Sequence, residues 1–167
     1  PEQQRNIRAF LEIYEENFEG LGFDGVFLDK IRYGSFSNGL GGVFSCFCPA
    51  CRKRYREYGI DVDELKHQMG LVREGAGGYG EHVLGITAYD QGNYTFLHPV
   101  WEPFYRKKAE DIAGALKPVT RYFRQRGMKV GMDTFAPYLA YFAGQDMKLL
   151  ASMADFIKPM MYRITNA

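Results

Sequence analysis

Apolar residues along this chain alternate between two spacings. From Arg5 to Phe18 they fall at Ile7, Phe10, Leu11, Tyr14 and Phe18, the three-and-four interval that lays one stripe along a helix, and Gly20 and Gly22 close it. A short apolar run, Gly25-Val26-Phe27-Leu28, follows and ends in Asp29. The helical interval returns over residues 100–126 at Trp101, Tyr105, Ala109, Ile112, Leu116, Val119 and Phe123, until Gly127 stops it. Pro118 lies inside that stretch and is expected to kink or divide the helix, because it lacks a donor and clashes with the preceding turn. A second strand, Met128-Lys129-Val130-Gly131-Met132-Asp133, again ends in an acid. A helix near residues 146–153 then leads to Phe156-Ile157-Lys158-Pro159-Met160-Met161-Tyr162. Helix and strand alternate three times, which predicts parallel strands joined by right-handed crossovers.

Parallel strands are covered on both faces and meet ligands at their carboxyl ends. Three repeats cannot close an eight-stranded barrel, which takes at least about 200 residues. The expected fold is therefore α/β, a partial (β/α)8 TIM-type barrel with parallel strands near residues 25–29, 129–133 and 156–160. Residues 1–167 would form one part of it, and the remainder of the barrel would be a partner outside this chain. Residues 34–99 are an insertion too long to be structureless in a compact domain. They hold Gly39, Gly41, Gly42, three cysteines, a basic helix from Cys51 to Tyr58 and a glycine-rich stretch from Gly70 to Gly80. A subdomain folded over the strand ends is expected there, where binding loops collect.

Composition narrows the function classes. The chain is 46% hydrophobic and 16% aromatic, enough for a buried core. Lysine and arginine number 21 against 20 acids, so there is no field to attract nucleic acid or an anionic membrane. No apolar run approaches the roughly 18 residues of a membrane span. The N-terminus lacks a signal-peptide pattern and begins without Met, as an excised or processed piece would. Cys46, Cys48 and Cys51 fall within six residues, too close and too odd in number for a disulfide framework, which favours a reducing, cytoplasmic location.

Asp29 and Asp133 each follow an apolar strand directly, and on neighbouring strands both carboxylates would point into one mouth. Paired acids are the machinery of glycoside hydrolysis: one protonates the leaving oxygen and the other attacks the sugar or activates water. The competing reading is that a strand-end Asp caps a helix or binds loop amides. Lys30, Arg32 and Tyr33 accompany Asp29 and favour a site. Lys158 interrupts an apolar strand, so it must pair with an acid, Asp29 or Asp133, or reach a polar mouth, and Tyr162 closes that strand. A cation beside a carboxylate keeps it ionised, as a nucleophile requires, while an acid catalyst needs the reverse. Gln145 follows the second strand and could bind sugar hydroxyls, whereas Asp146 is better read as an N-cap.

Cys46, Cys48 and Cys51 place three thiols within reach of one ion, and tetrahedral zinc wants four ligands. His67, His82, His98, an outside cysteine or water are candidates for the fourth. A structural zinc and three reduced cysteines in a packed loop are equally good readings. The basic cluster Arg52, Lys53, Arg54 and Arg56 reads as a solvated helix face, and Gly75 to Gly80 does not open a helix after a strand as a phosphate loop would.

Three segments in this order, residues 23–33, 46–51 and 155–162, together with Gly144-Gln145-Asp146, resemble bacterial proteins assigned as glycoside hydrolases, (β/α) barrels mostly without established substrates. The cysteine segment is similar to the cluster with which some barrel β-galactosidases hold a structural zinc, with three thiols here. The strand from Phe23 to Asp29 resembles the acid-bearing strand of chitinase-like barrels, but Ile31 stands where that family has its proton-donating glutamate, which argues against chitinase chemistry.

The expectation is a glycosidase acting on a glycan, with Asp29 and Asp133 catalytic in exchangeable roles and no catalytic cofactor. Lys30, Arg32, Tyr33, Gln145, Lys158 and Tyr162 would bind substrate. A carbohydrate-binding barrel without turnover and a zinc-stabilised interaction module are the alternatives.

Overall fold

The computed structural model describes residues 2–90 and 93–161. In chain order the regular elements are α1 (Glu2–Asn17), β1 (Gly25–Leu28), α2 (Gly39–Val43), α3 (Pro49–Glu57), α4 (Val62–Glu74), β2 (Ile86–Asp90), β3 (Asn93–Phe96), α5 (Trp101–Gln125), β4 (Lys129–Phe135), α6 (Pro137–Ala140), α7 (Met147–Ala151) and β5 (Phe156–Met160). They divide into a sheet unit, Pro1–Arg32 with Ala109–Ala167, and an aromatic unit, Tyr33–Lys108.

In the sheet unit β4 lies between β1 and β5, and both pairings are parallel. Side chains alternate along each strand. Val26, Leu28, Val130, Met132 and Ile157 face one way, against Tyr14 of α1, Leu116, Val119 and Phe123 of α5, and Leu150 of α7. The intervening residues face the other way, where Phe27 and Phe156 stack at 5.8 Å across Gly131. The stripe that predicted α1 is the one that packs, through Ile7, Leu11 and Tyr14.

The partial-barrel expectation is corrected here. Among the described residues the three parallel strands form an open sheet with no closure, and β2 and β3 form a separate antiparallel hairpin. The alternation of helix and strand dictates parallel pairing and crossover hand. It does not dictate closure, which depends on strand number and stagger. Pro118 does not divide the helix: α5 runs through it from Trp101 to Gln125. It ends where Gly127 adopts φ 76°, a left-handed stop that costs glycine no side-chain clash.

The aromatic unit packs around Trp101, the only tryptophan of the chain and fully buried. Rings of Phe44, Tyr105, Phe104 and Tyr79 lie 5.4, 6.0, 6.3 and 6.4 Å from it. Its indole N–H donates to the Tyr79 hydroxyl at 2.8 Å, which donates to Gln68 Oε1 at 2.5 Å. Gln68 in turn donates to Glu64 at 2.8 Å, and His98 lies 3.2 Å from the same carboxylate oxygen. This relay satisfies the Trp101 indole, the Tyr79 hydroxyl and the Gln68 amide, polar atoms that a ring-filled core would otherwise strand.

Lys108 is buried in the same core, with its ammonium on the Val43 carbonyl at 2.6 Å and over the rings of Phe104 (4.7 Å), Tyr33 (5.2 Å) and Tyr105 (5.6 Å). Burial pushes its pKa down to about 7, against the upward pull of Cys46 and Cys51. Between about pH 7 and the ordinary lysine value of 10.5 the unfolded chain holds a proton that the folded chain has released. Stability of this unit is therefore expected to rise with pH across that window, and below it the full burial penalty applies. Denaturant unfolding followed by Trp101 fluorescence from pH 6 to 10 is expected to show that slope, and Lys108→Met to flatten it.

Candidate functional site

The carboxyl ends of β1, β4 and β5 carry the first candidate site. The register pairs Phe27 with Gly131 and Gly131 with Phe156, and two residues further on pairs Asp133 with Lys158. Asp29 follows Leu28 at the level at which Asp133 follows Met132, because Leu28 and Met132 are partners. An aromatic row, Phe27 and Phe156 over Gly131, thus precedes a charged level, Asp29, Asp133 and Lys158. A Cβ on Gly131 would run into both rings, so the glycine is what lets them close over the strand.

Asp133 is 7% exposed, and its Oδ2 lies 3.3 Å from Lys158 Nζ. The Asp133 Oδ1 is buried and has no hydrogen-bond partner. Lys158 is half-exposed, with its ammonium 5.4 Å above the centre of the Phe27 ring. Buried carboxylate oxygens are normally satisfied, so this one, beside an ion pair, calls for a donor that the described residues do not supply.

Asp29 is exposed, and its Oδ1 accepts the Lys30 backbone N–H at 2.6 Å. Lys30 sits at φ 56°, the left-handed region, and its carbonyl accepts the Arg32 N–H at 2.9 Å. The chain therefore turns sharply straight after the strand, a conformation that a lysine adopts at a cost. Nothing in the residue type announces that turn. Arg32 lays its guanidinium 4.5 Å over the Phe135 ring in the sheet unit, while Tyr33 belongs to the aromatic unit. Tyr162 lies outside the described residues.

Gln145 is 1% exposed and its amide is fully engaged within the sheet unit. Its Oε1 accepts the Phe135 N–H at 2.8 Å, and its Nε2 donates to the carbonyls of Ile31 and Asp133, each at 3.4 Å. It ties the turn after β1 to β4 and so positions the site rather than offering groups to a ligand. Asp146 caps α7 by accepting the amides of Lys148 and Leu149 at 2.8 and 2.9 Å.

The second candidate site is in the aromatic unit. The Sγ atoms of Cys46, Cys48 and Cys51 lie within 4.8 Å of one another, close enough to hold a metal ion. No histidine or carboxylate joins them among the described residues, and His98 is engaged with Glu64 instead. Cys48 precedes α3, and its thiol is held below the usual range chiefly by the backbone N–H of Cys51, then by the neighbouring thiols. Burial, reinforced by those same neighbours, pushes Cys51 up to about 12. Three clustered sulfurs resist ionising together unless a cation shares their charge, and the soft donor set suits zinc. Zinc–sulfur bonds of about 2.3 Å require sulfurs about 3.8 Å apart, an adjustment of an ångström at most from the observed grouping.

The fold and these sites define an α/β chain with an open parallel sheet, an acid–base cluster at its strand ends and a separate three-thiol centre. Comparison with protein-family models, with curated proteins and with solved structures gave no match. Among the described residues no helix is long and apolar enough to cross a membrane.

Replacing Gln145 by Leu removes the amide that three backbone groups, those of Phe135, Ile31 and Asp133, use. The variant is expected to lose about 2–4 kcal/mol in urea unfolding followed by far-ultraviolet circular dichroism.

Proposed function

We propose that the chain is a glycosidase that binds a glycan at the strand ends of the sheet unit, with a structural zinc on Cys46, Cys48 and Cys51 in the aromatic unit. The observation that carries the glycan reading is the unpartnered, buried Oδ1 of Asp133 beside its ion pair with Lys158, one level beyond an exposed aromatic pair. Sugars present hydroxyl donors around an apolar ring face. Phe27 and Phe156, 44% and 54% exposed, offer rings for that face, and Asp133 offers an acceptor at its edge.

Neighbouring strands run about 4.8 Å apart, so residues 29 and 133 at one level are compatible with the roughly 5–9.5 Å between the carboxyl groups of glycosidase acid pairs. In this reading Asp133, next to the Lys158 ammonium, is the nucleophile or base. Asp29, exposed to solvent with one oxygen free of the Lys30 amide, exchanges protons with the leaving group. Lys30, Arg32 and Lys158 bind and orient hydroxyls. The exposure of Asp29 also favours a second reading, a carbohydrate-binding sheet without turnover, since an acid catalyst is normally sheltered.

Asp133→Asn keeps the shape and removes the charge. It is expected to lower the rate on a panel of nitrophenyl glycosides by about 10²- to 10⁴-fold, with the circular dichroism spectrum unchanged. Oligosaccharide binding by calorimetry without turnover in the parent would select the second reading, and neither turnover nor binding would remove both.

For the zinc, elemental analysis is expected to return one ion per chain. Cys51→Ser, which leaves two thiols, is expected to lose that ion and to lower the unfolding midpoint reported by Trp101.

A further inference from the structure

A groove of about 370 Å³ opens in the aromatic unit along α4, and neither the glycan site nor the thiol centre uses it. Phe44 and Met69, 3% and 6% exposed, form its floor, with Phe47 at its side. Lys66 and Arg73 line it and are exposed, and no acidic side chain lines it among the described residues. Lys66, Met69, Gly70 and Arg73 follow one another at three- and four-residue steps, which places them on one face of α4. The Arg73 guanidinium stands 6.0 Å from the centre of the Phe44 ring, and neither cation is in an ion pair among the described residues. Two cations over an apolar floor, with no acid to neutralise them, complement a ligand that is apolar along its body and anionic at one end.

Two glycines sharpen this. Gly70 lies inside α4 and Gly41 inside α2, where glycine is a poorer helix former than alanine. Neither has a positive φ, and a Cβ on either would meet no atom within 4 Å. Conformation and packing therefore leave both unexplained, yet both line the groove. Lys66 and Arg73 flank Gly70 by one helical turn on either side, so a larger side chain there would fill the space between the two cations.

We propose that this groove is a binding site for a small amphipathic anion. Its aryl or alkyl body lies on Phe44, Phe47 and Met69, and its carboxylate, sulfonate or phosphate head is taken by Lys66 and Arg73 above Gly70. The site does not depend on the glycan reading and stands or falls separately from it.

The probe is anilinonaphthalene sulfonate, titrated into the full chain by fluorescence, with uncharged phenylnaphthylamine as its comparator. One saturable sulfonate site is expected. Lys66→Gln combined with Arg73→Gln is expected to weaken the sulfonate about tenfold and to leave phenylnaphthylamine within about twofold. Gly70→Leu is expected to weaken both probes by at least about tenfold. Because leucine is the better helix former, the Gly70→Leu unfolding midpoint is expected at or above that of the parent. Absence of saturable binding, or an unchanged sulfonate affinity in either variant, overturns the proposal.

Discussion

Strand β4 has to satisfy backbone hydrogen bonds on both of its edges while its side chains serve two opposed faces. Its partners β1 and β5 lie parallel to it in fixed register, and a slip of one residue on either side would exchange the faces. Val130 and Met132 lock the register from one side, because their places in the helix-covered core cannot be taken by Gly131 or Asp133. Asp155 anchors the start of β5, exchanging hydrogen bonds with Val130 through its own N–H at 2.7 Å and its carboxylate at 2.9 Å. That bond, with Lys129 and Arg124 nearby, holds the Asp155 carboxyl below its usual range.

The chemistry at the strand ends follows from that lock. Once Val130 and Met132 point into the core, Gly131 and Asp133 must point to the other face, beside Phe27, Phe156 and Lys158. The ion pair and the orphaned oxygen of Asp133 are thus consequences of register rather than of any local signal. Gln145 then holds the turn after β1 to the same strand, which keeps the two acid-bearing segments together.

The aromatic unit solves a different problem. Its core is made of rings, and rings leave indole, phenol and amine groups that must find partners. The relay from Trp101 through Tyr79 and Gln68 to Glu64 meets that need for the indole and the Tyr79 hydroxyl, and the Val43 carbonyl with a box of ring faces meets it for Lys108. The thiol loop belongs to the same packing: Phe47 lies 6.4 Å from Phe104, and the Tyr55 hydroxyl donates to the Cys46 carbonyl at 3.1 Å. A metal there would brace a loop whose neighbours are already ordered.

The sequence by itself determined the main elements of the sheet unit, the short α6 excepted. Its periodicities placed α1, β1, α5, β4 and β5 within a few residues, because a helix stripe and a buried strand must carry those spacings to bury anything. It also brought out Asp29, Asp133 and Lys158 as charges breaking apolar runs, and the three cysteines by proximity alone. Only the tertiary structure decided that the parallel strands stay open, since closure depends on strands and stagger that periodicity does not encode. It alone paired Asp133 with Lys158, turned Gln145 from a candidate ligand into a cross-tie, and gave Lys108, a base on the apolar stripe of α5 between Tyr105 and Ile112, its partner in the Val43 carbonyl. Each of these depends on neighbours far away along the chain, and a pattern of spacings describes only what a residue does to its own segment.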